Sequence, residues 1–239
     1  MIESPYVLIT GAAKRIGRVF ALSAAKSGFN VIIHYRNSSD EAYKVAQQIK
    51  EIGKKALVVQ ADLENPAEVS TLFEKLPQDI EVQVLINSAA IFEDLRWDTT
   101  TLEQWNRHLM VNLTAPFLLS QSYAKRVGEK EGQIINILDW KTERPGKDHL
   151  PYIISKVALS GLTKSLALSL APNIRVNGLA LGAVLPAVDS TTSETITQSI
   201  PLKRWATTKE LEDTFSFLLL KATYLNGEIL TVDGGRHLI

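Results

Sequence analysis

The chain has 239 residues, 45% of them hydrophobic, and its 26 basic and 26 acidic side chains cancel to a formal net charge of zero. That length and apolar fraction suit one compact domain spanning 1–239, and balanced charge without a like-charge block argues against a nucleic-acid surface or an acidic tail. There is no cysteine, which excludes disulfides, zinc-thiolate centres and thiol nucleophiles and fits a reducing cytoplasm; no metal site is read. The start, 1–5, has no basic leader or small-residue cleavage site, so no secretory signal is expected, and the apolar run 215–220 is far too short to span a bilayer.

Short apolar runs predict strands over 6–10, 30–34, 56–60, 83–87, 133–138, 174–179 and 228–232. They are continuous rather than alternating, as strands buried on both faces must be. Amphipathic segments predict helices over 15–27, 39–52, 66–75, 101–127, 151–170 and 209–220. Strand-helix alternation of this kind builds right-handed βαβ units, hence an α/β fold with a parallel sheet covered by helices on both faces. The one long irregular stretch, 181–206, is rich in Thr, Ser and Pro; it predicts a substrate lid with a short helix near 191–199.

The first strand runs into Thr10-Gly11-Ala12-Ala13-Lys14-Arg15-Ile16-Gly17 and then a helix. Two glycines six apart at such a turn permit close backbone approach, and the helix N-terminus offers free N–H groups to a pyrophosphate. Arg15 occupies the place of the usual middle glycine. The second strand ends in His34-Tyr35-Arg36-Asn37-Ser38, with no acidic residue to hold ribose hydroxyls. Arg36, with Ser38 nearby, would welcome a 2′-phosphate, so NADPH is expected over NADH; the alternative is a solvated surface arginine. Asp62-Leu63 closes the third strand, where a carboxylate can accept from an adenine amino group or cap a helix. Asn87-Ser88-Ala89-Ala90 closes the fourth, its small residues leaving room for a flat cofactor.

Tyr152 and Lys156 stand one helical turn apart on one face, a phenol and an ammonium able to serve a proton transfer. The lysine favours the phenolate; Asp139, at the end of the fifth strand, opposes it. An ionised Asp139 accepts hydrogen bonds but cannot donate to a ketone oxygen as charge develops there. It suits a heterocycle rich in N–H groups, and reduction of C=N, where nitrogen gains a proton. Phe92 offers a face for stacking on a flat ring, Arg15 a contact to phosphate and substrate, and Trp205 and His149 are further candidates to line the pocket.

In order along the chain, Thr10 to Gly17, Asn87 to Ala90, Asn112, Asp139, Tyr152, Lys156 and Val232-Asp233-Gly234-Gly235 resemble the short-chain dehydrogenase/reductase family. The resemblance implies a Rossmann-like, doubly wound, seven-stranded parallel sheet, assembled as a dimer or tetramer through the helices over 101–127 and 151–170. Thr10 to Arg18, His34 to Ser38 and the aspartate at 139 are similar to pteridine reductases, and the ending Asp233 to Leu238 to their dihydromonapterin reductase branch. It implies a dihydropterin or dihydrofolate substrate and NADPH. Tyr152 is then the acid and Lys156 the holder of the nicotinamide ribose, while Asn112 positions a relay water. Leu181-Gly182 stands where the family has Pro-Gly, which puts Gly182 beside the cofactor, and Ser88 departs from the usual asparagine. The tail 236–239 is expected to approach a neighbouring subunit. Two other readings stand beside this one: a ketoreductase of 3-oxoacyl thioesters or other carbonyls, and a non-catalytic NADP(H) sensor.

Overall fold

In a computed structural model, residues 4–185 and 193–239 are described. Seven parallel strands, β1 (Tyr6–Ile9), β2 (Asn30–Tyr35), β3 (Ala56–Gln60), β4 (Val82–Asn87), β5 (Gly132–Asp139), β6 (Ile174–Leu181) and β7 (Ile229–Val232), lie in the order β3-β2-β1-β4-β5-β6-β7. Every pairing is parallel. The order reverses direction between β1 and β4, which opens a crevice at their carboxyl ends, the usual ligand position in such sheets.

Strand side chains alternate, so each face has its own core. Val7 and Ile9 pack with α1 (Arg15–Lys26), α2 (Ser39–Glu51) and α8 (Thr208–Leu220), where Phe20 stacks on Phe215 at 4.5 Å. Tyr6 and Leu8 face the opposite layer, packing with Val69 of α3 (Pro66–Thr71), Leu119 and Tyr123 of α5 (Ala115–Val127) and Ala167 of α6 (Leu150–Ser169). Strand ends differ from expectation by a residue or two because the ladder runs on into polar residues such as Asp139.

The single helix expected over 101–127 is instead α4 (Leu102–Leu109), a wide π turn at Met110–Thr114 and α5. Within the expected lid, Leu181 belongs to β6, α7 covers Ser193–Gln198, and Ala206 N donates to Ala183 O at 3.0 Å. The rest of that expectation, 186–192, lies outside the described residues. No helix among the described residues is long and apolar enough to cross a membrane.

Candidate active site

The carboxyl ends of β1, β4, β5 and β6 surround a cavity of about 550 Å³. Gly11, Lys14, Arg15, Ile16 and Gly17 line it from the first turn, Ser88, Ala89 and Phe92 from the β4 end, and Asp139, Tyr152, Lys156 and Gly182 from the other side. The sequence-predicted centre is thus assembled in one place. Ala90, Ile137, Leu138, Leu181, Val184 and Leu185 also line it. Of these, Ala90 belongs to the expected small-residue turn and Leu181, Val184 and Leu185 to the expected lid; Ile137 and Leu138 had no assigned role, because apolar residues at a strand end read as core.

The first turn is built for close approach. Gly11 has φ +66°, and a Cβ there would lie 3.0 Å from Ala89 Cα. A Cβ on Gly17 would lie 2.3 Å from the Gly11 carbonyl oxygen. The α1 N-cap, Lys14, makes no capping hydrogen bond, so no side chain competes for the N-terminal N–H groups. Arg15 adopts φ +46° where glycine would be unstrained, and its guanidinium donates to Leu185 O at 3.4 Å. Thr10 Oγ1 accepts from Ser88 N and Ala89 N at 2.9 and 3.0 Å, locking the ends of β1 and β4 together. These features fit a dinucleotide pyrophosphate.

Tyr152 donates its hydroxyl hydrogen to Asp139 Oδ2 at 2.9 Å, while Asp139 Oδ1 accepts from Lys141 N, capping the short turn Trp140–Thr142. The carboxylate therefore is both a cap and the partner of the phenol. Burial, then the Asp139 charge and hydrogen bond, push the Tyr152 phenol well above its ordinary value. The lowering expected from Lys156 is not found. Lys156 is only 2% exposed and its ammonium lies 5.8 Å from the Tyr152 ring centroid. Burial lowers its pKa to about 8, against an upward pull from Asp139. It donates to Ile137 O at 2.7 Å, and an ammonium's two further donors suit ribose hydroxyls. Phe92 is 57% exposed, stacked on His149 at 4.0 Å and edge-on to Tyr152 at 4.7 Å.

Several assignments change. His34 does not face the cofactor cleft: it is 2% exposed, and its Nδ1 accepts from Gly11 N at 3.1 Å while Nε2–H donates to Ala61 O at 3.1 Å. It holds the glycine turn instead, neutral, with burial lowering its pKa to about 4. The Asn112 side chain is fully buried; its amide bonds both Ile91 N and Ile91 O and donates to Ser155 Oγ, so it fixes the Phe92 loop to α6. Asn87 donates to Asn136 Oδ1 inside the sheet. Tyr35, Arg36, Asn37, Ser38, Asp62 and Leu63 lie outside the cavity. Arg36 is not free: Nε pairs with Asp62 Oδ2 at 3.1 Å and Nη1 with Glu64 Oε1 at 2.5 Å. His149 backs Phe92 rather than lining the cleft, and Trp205 is likewise absent from its lining.

Sequence reasoning missed Ser155, which takes the Asn112 bond and donates to Tyr152 O, although it sits between the two predicted catalytic residues. Arg236, expected only as part of a tail approaching a neighbouring subunit, lies with its guanidinium 4.4 Å over the Trp140 ring of its own chain, within reach of the Asp139 charge.

Residues 11–237 match a family model described as enoyl-(acyl carrier protein) reductase. A 3-oxoacyl-[acyl-carrier-protein] reductase from Synechocystis sp. is 34% identical over 242 residues, covering 98% of this chain and 97% of the relative. The crystal structure of FolM alternative dihydrofolate reductase 1 from Brucella canis, complexed with NADP, is 33% identical with a TM-score of 0.91, covering 98% of this chain and 95% of that one. A blue fluorescent protein from a metagenomic library, in complex with NADPH, is 27% identical with a TM-score of 0.90 and covers 98% of both. This chain belongs to the short-chain dehydrogenase/reductase family of oxidoreductases.

Proposed function

We propose that this chain is an NADPH-dependent reductase of a dihydropterin or dihydrofolate, a single-domain cytoplasmic enzyme working as a homo-oligomer. The observation that carries the substrate class is the Tyr152–Asp139 hydrogen bond. A phenol committed to a carboxylate, with its proton affinity raised, is a poor acid for a ketone oxygen. Beside a nitrogen heterocycle the same pair is useful. Asp139 accepts from ring N–H groups, and the nitrogen that gains a proton, far more basic than a ketone oxygen, takes it from Tyr152 or from a water. The similarity to FolM, whose structure holds NADP, supports both the cofactor and the substrate class.

NADPH, when bound, supplies hydride to the C=N carbon. Gly11, Gly17 and the α1 N-terminus hold its pyrophosphate, and Lys156 its nicotinamide ribose. Phe92 presents its exposed face to the flat substrate. Asn112, through Ile91 and Ser155, keeps that loop and α6 in register.

A second reading, reduction of a 3-oxoacyl thioester, is favoured by the names of curated relatives such as that from Synechocystis sp.. Asp139→Ser separates the two. It supplies a donor for a carbonyl and removes the acceptor for ring N–H groups. Under the proposed reading, dihydropterin turnover falls and carbonyl turnover rises or stays flat; retention of full dihydropterin turnover removes the carboxylate argument.

A further inference from the structure

Arg36 follows the last residue of β2, beside Ser38, whose hydroxyl makes no capping bond to α2. This is where a 2′-phosphate would arrive, yet the arginine carries two carboxylates. They are not equivalent. Asp62 holds the inner Nε, and its Oδ1 accepts from Glu64 N at 2.9 Å, so the turn itself fixes it. Glu64 holds the outer Nη1; among the described residues no other hydrogen bond to its carboxylate is seen, and its charge also acts on the Arg107 guanidinium. Outer guanidinium nitrogens are the donors a phosphate engages.

We infer that Glu64 is a specificity-determining residue: its carboxylate occupies Arg36 as a resident counter-ion that the 2′-phosphate of NADPH must displace. The inference rests on the NADP(H) reading above. A cofactor without the phosphate leaves the Arg36–Glu64 pair intact and gains nothing from removal of the charge. The cost of displacing Glu64 therefore falls on NADPH alone and compresses the preference for it.

Calorimetric titration of wild type and Glu64→Gln with NADPH, NADH, 2′,5′-ADP and 5′-ADP tests this. Glu64→Gln is expected to bind NADPH and 2′,5′-ADP about three- to tenfold more tightly, with NADH and 5′-ADP unchanged. In an Arg36→Ala background most of that gain should vanish. Unchanged or weaker NADPH binding by Glu64→Gln overturns the inference, as does an equal shift for all four ligands. A wild type that prefers NADH refutes the 2′-phosphate reading itself; a wild type that prefers NADPH with a flat Glu64→Gln response refutes only the role of Glu64. Unaltered NADH binding by the variant reports that it is folded.

Discussion

His34 ties three strand ends together, and its protonation should untie them. Its ring accepts from Gly11 N and donates to Ala61 O, and a doubly protonated imidazole cannot do the first. Burial takes its pKa from 6.5 to about 4. Because the folded pKa is depressed, the unfolded chain binds more protons between these values. The contribution is complete above about pH 6.5 and is lost as pH falls toward 4. At 1.36 kcal/mol per unit, the full window is about 3 kcal/mol, and acidification from pH 7 to 5 forfeits about 2. For a chain of this size that is a fall of roughly 4–8 °C in melting temperature. Thermal melts at pH 7 and pH 5, of wild type and His34→Asn, isolate this contribution, since all other titrating groups are shared. Asparagine can still accept from Gly11 N but does not titrate. The variant is expected to be less stable at pH 7 and to lose much less on acidification. A pH-dependent loss equal to that of wild type would refute the assignment of a neutral, loop-holding His34.

Other outcomes follow from the same geometry. Arg15→Gly should relieve the left-handed backbone, raising stability by about 0.5–1 kcal/mol, while weakening NADPH binding through loss of the guanidinium; a lower melting temperature would contradict it. Gly17→Ala forces a Cβ into the Gly11 carbonyl and should cost about 1–3 kcal/mol together with most NADPH affinity, measured by denaturation and titration. Asn112→Ala strands the Ile91 backbone and the Ser155 hydroxyl, costing about 2–4 kcal/mol and lowering kcat through a loosened Phe92 loop; an unaltered melting temperature would show that the clamp is not formed.

Strand-helix alternation was legible because doubly covered parallel strands are apolar throughout, as Val31-Ile32-Ile33 shows. The π turn around Asn112 was not, since the apolar spacing runs through it without a break. Tyr152 and Lys156 were readable from helical spacing, and Asp139 from its place at a strand end. The roles of His34 and Arg36 were not. Whether a side chain at the end of β2 points at the cleft or into a neighbour depends on the β2–β3 register, which places Tyr35 opposite Gln60 and carries Asp62 and Glu64 up to Arg36. Asp139 shows a different limit: its place at a strand end does not reveal that one carboxylate oxygen caps the following turn while the other accepts from Tyr152.

The most direct test of the central claim is NADPH consumption, followed by absorbance, with dihydromonapterin, dihydrobiopterin and dihydrofolate set against a 3-oxoacyl thioester. The Asp139–Tyr152 pair predicts kcat/KM for the best dihydropterin at least about a hundredfold above that for the thioester, as a site built around a substrate's N–H groups should discriminate. Turnover of the thioester with none of the pterins or folate would contradict it.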